Sequence, residues 1–183
     1  MSVSIYMNVI KIKKGFTLIE LMIVIVIIGI LTSIGVFAFQ SSQIKSRDSR
    51  RKSDLDQIAR ALEMYNNDVG LYPAGANDGK ILGCVGNAGS VCSWGGSFAN
   101  TTKATYMIKL PEDPTDGRRY FFEKIGSGYR LYARLDNLQD SSIPTTEPKT
   151  YSKNCGSSTS KACCNFVITS SNVAEPTPSD CQQ

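Results

Sequence analysis

Histidine is absent from the 183 residues. That removes every Ser/His and Cys/His nucleophile and the commonest metal ligand. The cysteines include no C-x-x-C pair, so structural zinc is not expected either. No phosphate-cradling loop or dinucleotide fingerprint occurs, and the acidic residues form no evident catalytic pair, so no reaction is expected of this chain. Two further absences are positional. No charge lies between Leu21 and Phe39, and no proline interrupts residues 16 to 66. The first leaves a run of membrane grade, and the second leaves nothing to break one long helix.

What stands at the head of that run is Lys13-Lys14-Gly15-Phe16-Thr17-Leu18-Ile19-Glu20-Leu21. The mostly apolar segment Phe16 to Phe39 exceeds the about 20 residues needed to cross a hydrocarbon core, so a membrane span is expected. Within it Glu20 is a lone carboxylate. An acid at the centre of a span costs on the order of 3 kcal/mol and calls for a partner. The plainer reading is that Glu20, only about 6 Å in from Phe16, reaches headgroup water.

These residues resemble the prepilin cleavage and methylation signature of type IV pilins and type II secretion pseudopilins. The likeness is specific at Gly15, Phe16 and Glu20 and weakens towards Pro73. It implies cleavage after Gly15 by a prepilin peptidase, N-methylation of the new terminus at Phe16, and pairing of the Glu20 carboxylate with a Phe16 amine between subunits. Pairing the two charges removes part of the cost of leaving each in lipid. One departure is that a proline many family members place at the position of Phe37 is missing, leaving Gly29 and Gly35 as the flexible points of the span.

The implied fold is α+β, a long N-terminal helix whose first half spans the membrane, packed on a small antiparallel sheet, as in type IV pilins. The expected divisions are a leader at 1–15, an assembly segment at 16–39, an amphipathic half-helix at 40–66, and an extracytoplasmic domain at 67–183. Met7 rather than Met1 is a possible start, because residues 7 to 15 form a complete short leader by themselves. The expected partners are copies of the same chain or other pilins, a prepilin peptidase/methyltransferase, and an assembly platform in the inner membrane. The expected location is that membrane, single-pass with the C-terminal domain outside the cytoplasm, then a periplasmic or cell-surface filament. The residues do not choose between pilus and secretion pseudopilus. The alternative is a single-span anchored binding domain that never polymerises.

Net charge is +4, but Lys11, Lys13 and Lys14 precede Phe16, so the remainder is close to neutral. All six cysteines, Cys84, Cys92, Cys155, Cys163, Cys164 and Cys181, follow the span, which favours disulfides and a non-cytoplasmic compartment. Counting positive charges does not orient the span, because Lys45, Arg47, Arg50, Arg51 and Lys52 balance the lysines of the leader. The same basic run has no interleaved aromatics, so nucleic acid is not the expected partner, and a solvated or lipid-headgroup-facing helix surface, or subunit-to-subunit pairing with acids such as Asp54 and Asp56, is the better expectation.

Beyond Phe39, Ile44, Leu55, Ile58, Leu62 and Tyr65 recur on one helical face, with Asp48 and Arg51 on the same line. One helix over residues 16 to 66 would reach roughly 76 Å. Gly70 and Pro73 mark its end. The loop from Ala74 to Asn100 needs a staple, for which Cys84 with Cys92 is the candidate. A short helix is expected over Thr101 to Leu110, then a hairpin of Arg118 to Ile125 and Tyr129 to Asp136 joined by Gly126-Ser127-Gly128, and a third strand over Asn165 to Ser170. In the hairpin's second strand Tyr129, Leu131, Ala133 and Leu135 should face the helix, leaving the sheet's other face wet. By analogy with pilins whose C-terminal segment is clamped to the sheet, Cys181 pairs with Cys163 or Cys164. Equal spacing with the first staple suggests Cys155 with Cys163, which leaves Cys164 for Cys181. Major secretion pseudopilins hold calcium in a loop of the region around Asp113 and Asp116. Here the spacing is that of a tight turn, so no cofactor is expected, and calcium near Asp113 and Asp116 stands only as the alternative.

Overall fold

The computed structural model describes residues 15–84, 90–100, 102, 104–157 and 161–181, with the side chains at 34, 35, 37 and 38 outside the description. The leader ahead of Gly15, and with it the choice between Met1 and Met7, lies outside the described residues. Two compact units result, the first ending at Ser42 and the second running Gln43–Gln183.

Helix α1, Leu18–Val69, begins in the first unit and ends in the second. It starts where Thr17 can cap it and stops where Gly70 can leave it. Gly70 takes φ +81°, and its N–H donates to the Asn66 carbonyl at 2.8 Å, a left-handed exit that a β-carbon would strain. In the first unit its large apolar side chains, among the described residues, are exposed, from 45% at Val24 to 84% at Leu18. Among the described residues no helix is long and apolar enough to cross a membrane.

In the second unit α1 supplies one wall of the core. Leu55, Ile58 and Leu62 are fully buried and Tyr65 nearly so, packed in one cluster with Tyr120, Phe122, Leu131 and Ala133. Opposite lies a three-stranded antiparallel sheet in the order β5-β6-β7, comprising Phe121–Ile125, Gly128–Ala133 and Phe166–Thr169. The hairpin pairs Ile125 with Gly128, so its connection is the two residues Gly126-Ser127 rather than three. Gly126 at φ +53° supplies the positive φ that a type II′ turn requires at its first central residue.

Two small antiparallel pairs precede this sheet. β1, Ile81–Leu82, pairs with β2, Val91–Cys92, inside what reads as loop, and β3, Phe98–Ala99, pairs with β4, Thr105–Met107. The short helix expected over Thr101 to Leu110 is therefore corrected. Asn100 accepts from the Thr102 hydroxyl and the Ala104 N–H, turning the chain so that Tyr106 packs edge-on against Tyr65 and at a tilt against Phe98.

The wet face is also corrected. Tyr129, Leu131 and Ala133 are buried in the cluster with α1 as the alternation requires, and Leu135 is buried too, but Tyr132, on the opposite face, is buried as well. It sits in a second cluster with Tyr151, Cys155 and Cys164, backed by Phe121 and Val167. The C-terminal segment supplies this cover. Tyr151 donates its hydroxyl to Glu175, Arg130 donates to the Ala174 carbonyl, and Ser179 exchanges two hydrogen bonds with Thr150.

Candidate functional site

Two arrangements carry chemistry, one in each unit. At the start of α1, the Thr17 N–H and hydroxyl both donate to Glu20 Oε2, at 2.9 and 2.8 Å, while the Glu20 N–H donates to Thr17 Oγ1 at 3.3 Å. This is a capping box, in which two of the N–H groups a helix leaves open at its start are satisfied reciprocally. The sequence signal is Thr17-x-x-Glu20 ahead of an apolar run, a spacing that the reading of Glu20 as a lone intramembrane acid does not use. Glu20 thus has a local partner within its own chain. Gly15 and Phe16 lie just ahead of the helix and are exposed.

In the second unit Arg51, with no exposed surface, occupies the centre of an ionic cluster. Its Nε and Nη2 grip both oxygens of Asp113 at 2.9 and 3.0 Å, Nη1 donates to Asp48 at 2.6 Å and Asp136 at 2.8 Å, and Nη2 also donates to Thr115 at 2.7 Å. The anchors come from three places: Asp48 from the preceding turn of α1, Asp113 and Thr115 from the loop after β4, and Asp136 from the exit of β6. Asp48 in turn receives the Asp136 and Asn137 N–H groups at 2.9 and 2.8 Å. Arg118 also pairs with Asp136, and Arg47 stands 3.5 Å from it.

Burial alone would pull the Arg51 guanidinium towards losing its proton, but the hydrogen bonds and charges of Asp113, Asp136 and Asp48 hold its pKa above the usual arginine value. Burial alone would raise the Asp136 carboxyl, and the bonds from Arg51 and Arg118 instead hold it below the ordinary carboxylate range. Nearby, Lys52 pairs with Asp140 at 2.7 Å and Arg50 stands 3.9 Å from Asp54. The basic run Arg47 to Lys52 is therefore turned onto acids of its own chain.

The calcium expectation at Asp113 and Asp116 does not fit this arrangement. Both Asp113 oxygens are taken by Arg51, and Oδ1 also accepts the Thr115 N–H at 2.8 Å. Asp116 is exposed and lines an open cavity of about 720 Å³ together with Arg47 and Arg118, whose charges would repel a cation. Among the described residues no group of three or more acids or cysteines could hold a metal ion.

All six cysteines are paired, as Cys84–Cys92, Cys155–Cys164 and Cys163–Cys181. The equal-spacing pairing of Cys155 with Cys163 is corrected. The Tyr151 N–H bonds to the Cys164 carbonyl and the Cys155 N–H to the Ala162 carbonyl, an antiparallel approach that puts Cys164 beside Cys155 in the buried cluster under Tyr132. Cys163 is thereby left to Cys181 and the tail.

Residues 10–36 match the prokaryotic N-terminal methylation motif. Type II secretion system core protein G of Pseudomonas aeruginosa is 35% identical over 104 residues, covering 56% of this chain and 68% of that protein. The protein of the same name from Pectobacterium carotovorum is 30% identical over 144 residues, covering 74% and 81%. The fimbrial protein EcpC of Eikenella corrodens is 44% identical over 64 residues, covering 35% and 42%. No solved structure matches the chain.

Proposed function

The chain belongs to the family of type II secretion system core protein G, and from that premise we propose how this pilin-like filament subunit is made, stored and assembled. Cleavage falls after Gly15 and methylation on the amine of Phe16. Before assembly the subunit is held in the inner membrane by residues 16–39, with the cysteine-bearing unit outside the cytoplasm, where its three disulfides can form and persist. The relatives carry the name of a secretion system, which favours a secretion pseudopilus over a pilus. A structural role, with no reaction of its own, goes with that family.

The observation that carries the reading is the exposed apolar surface of the first unit, 45 to 90% open at its large side chains, with one carboxylate in its first turn. Such a surface needs lipid or neighbouring helices around it. Moving from lipid into a bundle of like helices preserves apolar contact, so packing and polar pairing, rather than a hydrophobic gain, direct assembly. Cleavage would create an ammonium at Phe16, at the helix end whose dipole already carries partial positive charge. Both Thr17 bonds use Oε2 of Glu20, which leaves Oε1 for the amine of an adjoining subunit.

Glu20→Ala tests this. The variant should be cleaved and membrane-held yet yield no filaments on electron microscopy of cells, whereas a merely anchored binding domain would be indifferent to the change. Intact-mass measurement of wild-type protein in the membrane should show a chain starting at an N-methylated Phe16. A chain that keeps its first 15 residues would overturn the reading.

A further inference from the structure

A guanidinium has five N–H donors and no acceptor. Arg51 spends all five inside the protein, one from Nε, two from Nη1 and two from Nη2. Its immediate surroundings balance as well. Arg51, Arg118 and Arg47 stand against Asp48, Asp113 and Asp136, with Asp136 shared by all three arginines. The cluster joins segments that are 62 and 85 residues from Arg51 along the chain. An oxygen-rich loop tied to a helix and a strand exit by one central positive charge is what a bound divalent cation otherwise provides. Here a calcium ion would have to expel a buried arginine before it could reach the Asp113 oxygens.

We propose that Arg51 is the structural cation of the second unit, carried on the chain itself, and that the loop from Glu112 to Gly117 holds its shape without any divalent metal. The residues that converge on it do so because a planar fork can donate two bonds to Asp113 along one edge and single bonds to Asp48 and Asp136 from another. The second unit draws stability from this cluster whether or not the chain polymerises.

The test is thermal unfolding of the full-length chain in detergent micelles, followed by the fluorescence of Trp94, the one tryptophan, which stacks edge-on against Tyr120 in the core. Wild-type protein should melt at the same temperature, within about 1 °C, in excess calcium, excess magnesium or excess EDTA. Arg51→Met should lower the midpoint by about 10 °C or more, because it leaves three carboxylates without their shared cation. Arg51→Lys, which keeps the charge and loses the fork, should fall in between. Adding Asp113→Asn to Arg51→Met should recover part of the loss, which a purely steric role for Arg51 would not permit. A rise in the wild-type midpoint of more than about 2 °C with calcium, or a similar fall with EDTA, overturns the proposal. So does an Arg51→Lys or Arg51→Met protein that melts like wild type, or a double variant with no recovery. If Arg51→Met does not fold at all, the wild-type titration and Arg51→Lys decide the matter.

Discussion

The two halves of α1 lie on one continuous helix and have opposite chemistry. In the first unit, side-chain hydrogen bonds among the described residues include the local ones of Thr17 with Glu20, Thr32 to the Ile28 carbonyl, and Ser33 to the Ile30 carbonyl, spanning three or four residues. In the second unit they reach across 62, 66 and 85 residues, to Asp113, Tyr120 and Asp136. Among the described side chains, the first half carries apolar groups all round and buries none of them, and the second carries one apolar stripe that is buried from Leu55 to Tyr65. A helix of the first kind finishes its structure only in company, whereas one of the second kind is finished by its own chain.

Core truncation should separate the two halves most sharply. Leu62→Ala, at a fully buried position, should cost about 2–5 kcal/mol in the thermal melt. Ile27→Ala, at a position 52% exposed, should leave that melt within about 0.5 kcal/mol of wild type and instead lower the yield of filaments per cell. A melt that responds equally to both would erase the contrast.

A smaller loss, about 1–3 kcal/mol, is expected for Tyr120→Phe, which removes the hydroxyl donating to buried Asp54 at 2.7 Å. Burial already pushes the Asp54 carboxyl above its ordinary pKa, so Tyr120→Phe should raise it further, a shift that carboxylate NMR would read.

Acid should sharpen the comparison next. Asp136, paired with Arg51 and Arg118, and Asp140, paired with Lys52, are held below the ordinary carboxylate pKa in the folded state. A depressed folded pKa contributes stability that is present above the unfolded value, about 3.9, and is lost as pH falls through the folded one. The melting temperature should therefore be insensitive to these groups from pH 7 to about pH 5 and fall below about pH 4. Asp136→Asn should flatten that fall.

The smallest effect belongs to the cap. Thr17→Ala should cost about 1 kcal/mol, read as fraying of the first helical turn by amide exchange in micelles, with the melt of the second unit unmoved.

Much of this architecture could be read along the chain, because it depends on near neighbours. The unbroken helix follows from the missing prolines, the exit at Gly70 from Asn66 to Pro73, and the sheet from two alternating runs around a glycine turn. Asp48 and Arg51 were visibly on the buried face of α1, but their partners were not, since nothing local ties Asp113 or Asp136 to a helix dozens of residues away. Tyr132 reads as exposed by alternation, and only the returning C-terminal segment, with Tyr151 and the Cys155–Cys164 bridge, buries it. The equal spacing of Cys84 to Cys92 and Cys155 to Cys163 does not fix the pairing for a related reason. Strand approach, not interval along the chain, decides which sulfurs meet.

Cys163 and Cys164 are neighbours in sequence yet belong to different bridges, one running to the tail and one into the cluster beneath Tyr132. During oxidation either sulfur can capture Cys155 or Cys181 first, and a wrong choice draws the next residue along with it. Maturation of this domain should therefore call on a thiol-disulfide isomerase to proofread a single adjacent pair, and cells without one should accumulate a mispaired, protease-sensitive form whose Cys84–Cys92 loop is nevertheless correct.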